Sequence, residues 1–534
     1  MQEKNMKKII SLLVIYFTVQ SIIAQPSITW QKTYGGSLHE YTWKTIPTAD
    51  GGYAFVGFSD SNDGDVLSES NGGTDLWVAK ITSTGTIQWS KLFGGTGDEE
   101  GHDIMQTADN GFLVTGYTGS SDGDVVGHHG TSSNDFWVLK LTSAGVLEWN
   151  QCYGGTSSDE AAAMGKTTTG DYYVAGSTYS NDGDVSGGNH SSDISDFWVI
   201  KINSSGSLLS QKCVGGTDSD EGINMTITSD NGCILVGRTS STDGDAIAYH
   251  GGQDMLIAKL TSSFTVEWSK CYGGTETEEC NAVVQLSDGS YAALGYSSTH
   301  NNGDVTGHHG SQGSDDFWLL KLTSAGAITW AKCFGGDGDD QANGLTKTMD
   351  GGYVMCGLTN STNGDVTGFH SGGFFDPDVW VAKIDANGIL KWQRCCGGSG
   401  QDESFNVFET SSNQFIVTAF TYSADYDITQ NRGSADGWIF NLAGASSVQE
   451  NFLDDEFTVF PNPFTDHINV IFPLTTAAPE KLILTNSIGE QIKIIEHVTP
   501  KLLQFINTKH LSAGVYYIEL IGTEYSILKK INKE

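Results

Sequence analysis

The stretch DFWVLKLTSAGVLEWNQCYGG, residues 135–155, decides the fold of this 534-residue chain. Two runs rich in aromatic and β-branched residues flank a short polar turn that ends at Gly145, which is the pattern of a β-hairpin. The phrase around Trp149, which closes with an aromatic residue and Gly-Gly, returns every 58 to 62 residues. Such a period indicates stacked supersecondary units rather than one irregular domain. The landmark position is held by Trp30, Trp89, Trp149, Ser210, Trp268, Trp330 and Trp392.

Each copy of the repeat contains four short strand-like runs, which we name a, b, c and d in chain order. In the second copy they cover residues 102–107, 112–117, 136–141 and 146–153. Alternating side chains within the runs, and the Gly, Asn and Asp residues between them, favour strands over helices. Strand c is marked by the phrase Asp-x-Trp-x-x-Lys in most copies.

The first and last copies are incomplete in complementary ways. The pattern stops after strand c of the seventh copy, near Trp438, and a spare strand d precedes the first strand a at residues 28–34. If these two strands pair, every sheet has four strands and few edges are exposed. An open solenoid would need polar caps instead. The sequence therefore predicts an all-β fold, a seven-bladed β-propeller over residues 25–444 that is closed by its N-terminal strand.

The large and apolar side chains of the repeats are expected to lie between blades. Of thirteen Trp residues, all but Trp43 hold positions in strands c or d, where neighbouring blades would press together. We interpret them as core rather than as a carbohydrate-stacking platform. Five of the nine cysteines hold one equivalent position in strand d, too far apart for disulfides, and are interpreted as small buried side chains. These are Cys152, Cys213, Cys271, Cys333 and Cys395.

The first residues and the charge predict export. Lys7 and Lys8 precede an apolar run at residues 9–17, and cleavage after Ala24 would complete a signal peptide over residues 1–24. The run is too short for a lasting membrane anchor. The formal net charge is −36, and the excess acid lies in the repeats. A surface this acidic argues against nucleic acid and anionic lipid as partners. We expect a secreted or surface-attached monomer that is not an integral membrane protein.

Two acidic phrases recur in the long polar connections from b to c and from d to a, which meet at one face of a propeller. The first is Asp/Asn-Gly-Asp, and the second places an acid after the Gly-Gly of strand d. Turn and capping chemistry explains both. Paired carboxylates around a Gly turn also suit calcium, the one cofactor the sequence suggests, although the spacing departs from the full calcium-loop motif. The candidate calcium ligands are Asp63, Asp65, Asp122, Asp124, Asp182, Asp184, Asp243 and Asp245. The acids of the second phrase are Glu40, Glu99, Asp159, Asp220, Glu278, Asp340 and Asp402.

A histidine follows most of the Asp-Gly-Asp turns. Histidines in different blades cannot share one metal, and zinc normally requires three or four convergent ligands. We therefore interpret them as loop packing or hydrogen bonding, with a local Asp–His site as the alternative. Together with the acids from Glu99 to Asp402 they form the candidate ligand-binding face. The histidines are His129, His250, His309 and His370, with His190 at the matching place in the third copy.

The repeats favour binding over catalysis. A propeller hydrolase needs a unique constellation of side chains at its central opening, whereas these polar groups recur in register. We assign no catalytic residue and expect a binding or adhesion module for an unknown glycan or protein ligand. The alternative is a carbohydrate-active or other hydrolytic enzyme with its site at the central opening.

The repeat pattern ends near Gly444. After a linker at residues 445–456, residues 457–534 carry strand-like runs and a set of phrases that closely resemble the C-terminal sorting domain of type IX secretion cargo. The resemblance implies a small β-sandwich that the type IX secretion machinery recognises and that directs passage through the outer membrane. The repeats are in turn similar to bacterial β-propeller repeats. The residues that carry the sorting resemblance are Pro461, Asn462, Pro463, Gly489, Gly514, Tyr516, Lys529 and Lys530.

Overall fold

The structure is a computed structural model that describes two stretches of the chain. These are residues 25–444, except 69, 132, 189–193, 371–375 and 412, and residues 458–533, except 472–480, 487–490, 497–503 and 522–525. The predicted signal peptide, the predicted linker, His190 and Gly489 lie outside the described residues. The chain divides into two compact units between Ala445 and Ser446. Every regular element in the described stretches is a β-strand. Among the described residues, no helix is long and apolar enough to cross a membrane.

The first unit contains seven four-stranded sheets, each of which is a blade. Its strands are β1 (Ser27–Tyr34), β2 (Glu40–Pro47), β3 (Tyr53–Ser59), β4 (Asp75–Ile81), β5 (Ile87–Phe93), β6 (Glu99–Gln106), β7 (Phe112–Thr118), β8 (Asp135–Leu141), β9 (Leu147–Tyr153), β10 (Asp159–Lys166), β11 (Tyr172–Thr178), β12 (Asp196–Ile202), β13 (Leu208–Val214), β14 (Asp220–Ile227), β15 (Cys233–Thr239), β16 (Asp254–Leu260), β17 (Val266–Tyr272), β18 (Glu278–Gln285), β19 (Tyr291–Ser297), β20 (Asp316–Leu322), β21 (Ile328–Phe334), β22 (Asp340–Lys347), β23 (Tyr353–Thr359), β24 (Asp378–Ile384), β25 (Leu390–Cys396), β26 (Asp402–Ser411), β27 (Gln414–Thr421) and β28 (Asp436–Ala443).

Six sheets are simple antiparallel meanders, and the seventh closes the ring. Its order is β1-β28-β27-β26, with Thr33 opposite Trp438, so the N-terminal strand completes the last blade. Strand a of each blade packs on strand b of the blade before it, and β2 packs on β27 to link the first blade to the last. The predicted all-β propeller fold is confirmed.

The core lies between blades. Strand c of each blade is buried along almost its whole length, and its Trp is 0% exposed wherever one is present. The core interpretation is therefore right for these Trp residues and for Trp392, but it is too broad for the other Trp residues of strand d. Those five are only half-buried, because strand d is the outer strand of the blade. They are Trp30, Trp89, Trp149, Trp268 and Trp330.

The innermost strand, strand a, carries a β-bulge at the same place in every blade. The register of its pairing with strand b shifts between the third and fifth residues, as between Gly101 and Asp103. A bulge re-aims the extra side chain and is common beside functional sites. The bulged fourth residues are Trp43, His102, Ala162, Ile223, Asn281, Asn343 and Phe405.

All nine cysteines are free thiols and buried. Burial raises the pKa of Cys233 to about 12, so this thiol stays neutral and unreactive. The interpretation of the cysteines as small core side chains is confirmed.

The second unit contains two sheets that share one apolar core. The order in one sheet is β29-β30-β33, and the order in the other is β32-β31-β34-β35. Side chains from both sheets, such as Ile468 and Ile518, meet in that core, which is the arrangement of a small β-sandwich. The strands are β29 (Thr458–Phe460), β30 (His467–Ile471), β31 (Lys481–Asn486), β32 (Gln491–Glu496), β33 (Gln504–Asn507), β34 (Gly514–Ile521) and β35 (Ser526–Lys533).

Candidate functional site

The acids that follow Gly-Gly open strand a of each blade and are fully buried. In the second blade, Glu99 accepts hydrogen bonds from the Gly95 amide at 2.8 Å and from the Thr118 hydroxyl at 2.7 Å. A buried carboxylate with these donors fixes the end of strand d against strand a of the next blade. A ligand on an exposed face does not reach these side chains. The seven residues, each 0% exposed, are Glu40, Glu99, Asp159, Asp220, Glu278, Asp340 and Asp402.

The aspartate that opens strand c lies beside each of these acids. At Gly94, an added Cβ would come within 3.0 Å of both the Asp75 and the Glu99 carboxylates, so only glycine fits between them. We call this pair of acids and its glycine a junction, because it joins two blades. Several strand c aspartates have one oxygen without a hydrogen-bond partner. These aspartates are Asp75, Asp135, Asp254, Asp316, Asp378 and Asp436.

Burial gives the junction acids abnormal proton affinities. It raises the pKa of Asp340 to about 7, and the neighbouring Asp316 carboxylate adds to the rise. Burial also raises the pKa values of Asp159 and Asp220 to about 6 and that of Asp402 to about 7. Two adjacent buried carboxylates cannot both be charged at low cost, so a junction tends to hold a proton.

The predicted histidines bind the junction aspartates. His309 donates its backbone amide to Asp316 at 2.7 Å, and its Nδ1 lies 2.9 Å from the same oxygen. Its Nε2 lies 4.0 Å from Asp365, which belongs to the Asp-Gly-Asp turn of the next blade. The Asp316 carboxylate raises the pKa of His309. The Nδ1 atoms of three further histidines contact the strand c aspartate in the same way, and their side chains are about one quarter to one third exposed. They are His129, His250 and His370.

The Asp-Gly-Asp turns also tie neighbouring blades together. Asp122 accepts the Thr96 amide at 2.8 Å, and Asp182 accepts the Thr156 amide at the same distance. Asp63 and Asp243 accept the matching amides of their own neighbours. The second aspartates, Asp65, Asp124, Asp184 and Asp245, lie beside the strand d glycines or the histidines. Among the residues that the structure describes, no three or more His, Cys, Asp or Glu side chains form a metal cluster.

A cavity of about 560 Å³ occupies the centre of the ring. It falls within the size range of small-molecule sites. Its wall is built by strand a of all seven blades, and the fourth and fifth residues of every strand a face it. The fifth residues are Lys44, Asp103, Ala163, Asn224, Ala282, Gly344 and Asn406. We call this cavity the channel.

The channel residues differ from blade to blade, whereas the junction residues repeat. At the bulged fourth position the seven blades carry Trp, His, Ala, Ile, Asn, Asn and Phe. The predicted site residues of the repeats all recur in register, and none of these channel residues is among them. The sequence does carry a signal for these residues, which is variation at one position inside an otherwise regular repeat. At the fourth position of strand a, only Asn281 and Asn343 agree between neighbouring copies.

The polar groups of the channel form two separate sets of bonds. Lys44 makes a 2.6 Å ion pair with Asp103, which is only 3% exposed. On the other side, Asn224 donates to the Asn281 carbonyl at 2.8 Å, and Asn281 donates to the Ala342 carbonyl at 2.9 Å. These bonds hold the wall of the channel in one arrangement.

Aromatic and acidic side chains occupy different arcs of the channel. Trp43 and Phe405, from the first and seventh blades, have ring centroids 4.3 Å apart, and His102 packs edge-on against Trp43 at 5.5 Å. Glu160, Glu221 and Glu279 come from the third, fourth and fifth blades. A concave site with one aromatic and one acidic wall is suited to ligand binding.

The second unit was compared with known protein families. Residues 458–534 match the family described as secretion system C-terminal sorting domain. The second unit is a secretion sorting domain. The protein is therefore exported by the type IX secretion system to the cell surface or beyond, as the resemblance implied.

The residues of the sorting phrases lie at different places in the sorting domain. Pro461, Asn462 and Pro463 connect β29 to β30, and the Asn462 side chain accepts the Asn532 amide at 2.9 Å. Tyr516 is 7% exposed and donates its hydroxyl to the Ser512 carbonyl at 2.9 Å. Gly514 opens β34, and the lysines at 529 and 530 belong to β35.

Whole-chain comparisons found distant relatives. Regulatory protein FlaEY of Caulobacter vibrioides is 23% identical in an alignment 422 positions long that covers 71% of this chain and 42% of FlaEY, so the chain spans less than half of that relative. The Neurospora crassa Pan2 WD40 domain is 10% identical with a TM-score of 0.43, covering 80% of this chain and 97% of that one. A puromycin hydrolase is 10% identical with a TM-score of 0.41, covering 93% of this chain and 62% of that one. The propeller assignment depends on the strand pairing rather than on these scores.

Proposed function

We propose that this exported propeller is a binding module and that its ligand enters the central channel. One observation carries the proposal: the fourth and fifth residues of strand a vary among the blades, while the residue that opens the same strand is Asp or Glu in every blade. Scaffold positions in a repeat protein keep one residue type because every blade packs alike. Positions that vary in this way, around one concave cavity, supply the asymmetric set of contacts that recognition requires.

This proposal moves the binding site away from the acids and histidines of the predicted ligand-binding face. The junction acids are buried, and the histidines are hydrogen-bonded to them. The long loops remain as the surroundings of the site. The likeness to FlaEY adds nothing to the choice of ligand, because its name states a regulatory role and no ligand.

The experiment is an array of glycans and purified surface proteins probed with the full secreted chain. Trp43→Ala and Glu160→Gln change the channel, and Val126→Ser is the matched control because Val126 is 57% exposed on a b-to-c loop. We expect a ligand whose signal falls in both channel variants and stays in the control. A signal that depends on Val126 and is insensitive to both channel variants would show that the loops bind instead.

A second candidate, hydrolysis in the channel, is favoured by one carboxyl group that does not itself line the channel but is hydrogen-bonded to the lining residue Asn343. Burial raises the pKa of Glu403 to about 7, and Asn343 donates to it at 3.0 Å. A carboxylic acid that is protonated near neutral pH has the property that a general acid requires. Each glycan that binds on the array is therefore also incubated with the protein. Product formation that Glu403→Gln abolishes would favour the enzyme, and binding without product favours the module.

A further inference from the structure

The charge of the channel wall is unbalanced. Glu160, Glu221 and Glu279 line the cavity on three adjacent strands. Arg238 bridges two of them, with its Nη1 2.8 Å from Glu279, and Asn134 donates to one oxygen of Glu160 at 2.9 Å. The Lys44 ammonium on the far side is already paired with Asp103. Three carboxylates thus share one guanidinium, and this arc of the wall is net negative.

The hydrogen-bonding groups of the same arc are unbalanced as well. Asn281 is 8% exposed, and its amide nitrogen donates to the Ala342 carbonyl and to Asn343. Its side-chain oxygen, which belongs to a residue that lines the channel, has no hydrogen-bond partner. A buried acceptor without a donor is costly. On this arc the side-chain amides of Asn224 and Asn281 donate internally and an acceptor is left over, whereas on the opposite arc the indole N–H of Trp43 has no acceptor.

The opposite arc supplies aromatic faces. Trp43 and Phe405 both line the cavity and pack against each other. Aromatic faces attract alkylammonium groups and repel anions, because the ring quadrupole is negative at its face. Carboxylates, a free acceptor and aromatic rings around one cavity select the same ligand chemistry.

We propose that the channel binds an organic cation whose ammonium group is attracted by the carboxylates of the Glu160 arc and by the ring of Trp43. The proposal rests on the proposed function and adds the chemical class of its ligand. A lysine side chain and a free polyamine present the same group, so the experiment includes both.

Isothermal titration calorimetry on the full secreted chain tests the proposal with three probes. They are Nα-acetyl-lysine methylamide, spermidine, and Nα-acetyl-norleucine methylamide, which has the same shape as the lysine probe at its stem but no charge. We expect one or both cations to bind and the norleucine probe to give no heat. Binding to the lysine probe alone assigns the site to a protein side chain, and binding to spermidine alone assigns it to a free polyamine. Since charge pairing with carboxylates is screened by salt, affinity is also expected to fall as salt is raised.

Variants decide whether the cation sits in the channel. We expect Glu160→Gln and Trp43→Ala each to weaken binding about five- to tenfold, the size of a lost ion pair or cation–π contact, and Val126→Ser to leave it unchanged. Because Trp43→Ala also removes packing, Glu160→Gln, which keeps the shape of the wall, is the deciding variant. Equal binding of the norleucine probe, no heat with either cation, or cation binding that Glu160→Gln leaves intact would each overturn the proposal. A neutral array ligand that is lost in the channel variants, combined with no cation binding, would refute the cation while leaving the proposed function in place.

Discussion

Asp159 and Glu160 are adjacent in the chain, yet they belong to regions built on opposite principles. Asp159 points into a junction, is 0% exposed and has a counterpart in every blade. Glu160 lines the channel together with its counterparts Glu221 and Glu279, and the fourth and fifth residues of the same strands, which also line the channel, vary among the blades. Successive side chains of a strand face opposite sides, so one strand can serve both regions. The recurring junction residues hold the ring together, and the varied fourth and fifth residues of strand a mark where the ring can recognise something.

The largest effect should come from breaking a junction. Asp159→Ala removes the acceptor of the Gly155 amide and of the Ser180 hydroxyl, both at 2.8 Å, and of the Thr178 hydroxyl. Donors left buried and unpaired should lower the free energy of unfolding by about 3 kcal/mol. Chemical denaturation measures this loss. The neighbouring Glu160→Ala is the control and should cost less than about 1 kcal/mol. Equal losses in the two variants would erase the distinction between junction and channel.

The second effect is on the pH dependence of stability, and the junctions should dominate it. Folding raises the pKa values of Asp340 and Asp402 to about 7, from about 4 in an unfolded chain. The folded protein therefore holds protons between pH 4 and 7 that the unfolded chain has released, and its stability falls as the pH rises through this window. We expect Tm to be lower at pH 8 than at pH 5 by about 5 °C. A Tm that rises from pH 5 to pH 8 would contradict the prediction that the buried carboxylate pairs hold protons.

Asp316→Asn is the control for that pH effect. Its side-chain oxygen can still accept from His309, while its amide can donate to Asp340 in place of the shared proton. This variant should be more stable than the wild type at pH 8 by about 1 kcal/mol and should have a flatter pH profile. A destabilised variant with an unchanged profile would show that the Asp316–Asp340 junction carries no proton.

The sequence was sufficient for the fold because the fold is periodic. The spacing of Trp149 and its counterparts predicts the blades, and the mismatch between the strands of Trp30 and Trp438 predicts the closure, since each feature repeats or completes a repeat. The channel could not be predicted in the same way. Its wall depends on a one-residue bulge in strand a, which shifts Trp43 and its counterparts relative to the alternation that the sequence shows. The burial of the junction acids was equally hidden, because Glu99 is polar and follows a turn, as exposed acids do.

The seventh junction allows a finer comparison, because a guanidinium replaces the imidazole found in most of the others. Arg432 donates its backbone amide to Asp436 at 3.0 Å, and its side chain pairs with Asp65 of the first blade. Arg432→His should restore the common pattern at the point where the ring closes. Histidine loses its charge above pH 7 and arginine does not, so we expect a loss of about 0.5 kcal/mol at pH 8 and less at pH 5, given the partial exposure of the pair. Thermal melts at the two pH values measure the difference, and an equal loss at both would mean that charge at the closure is unimportant.

The smallest effect should come from calcium. The carboxylates of Asp122 and Asp182 already accept backbone amides of the preceding blade, and these bonds compete with a cation for the same oxygens. Calcium prefers six to eight oxygen ligands, and a ligand that binds only the folded state raises its stability. We therefore expect Tm to change by less than about 1 °C between excess chelator and millimolar calcium. Magnesium at the same concentration is the control for general screening of the acidic surface. A Tm that rises by several degrees with calcium but not with magnesium would contradict this expectation. If Asp122→Asn also reduces that rise, the Asp-Gly-Asp turns bind calcium.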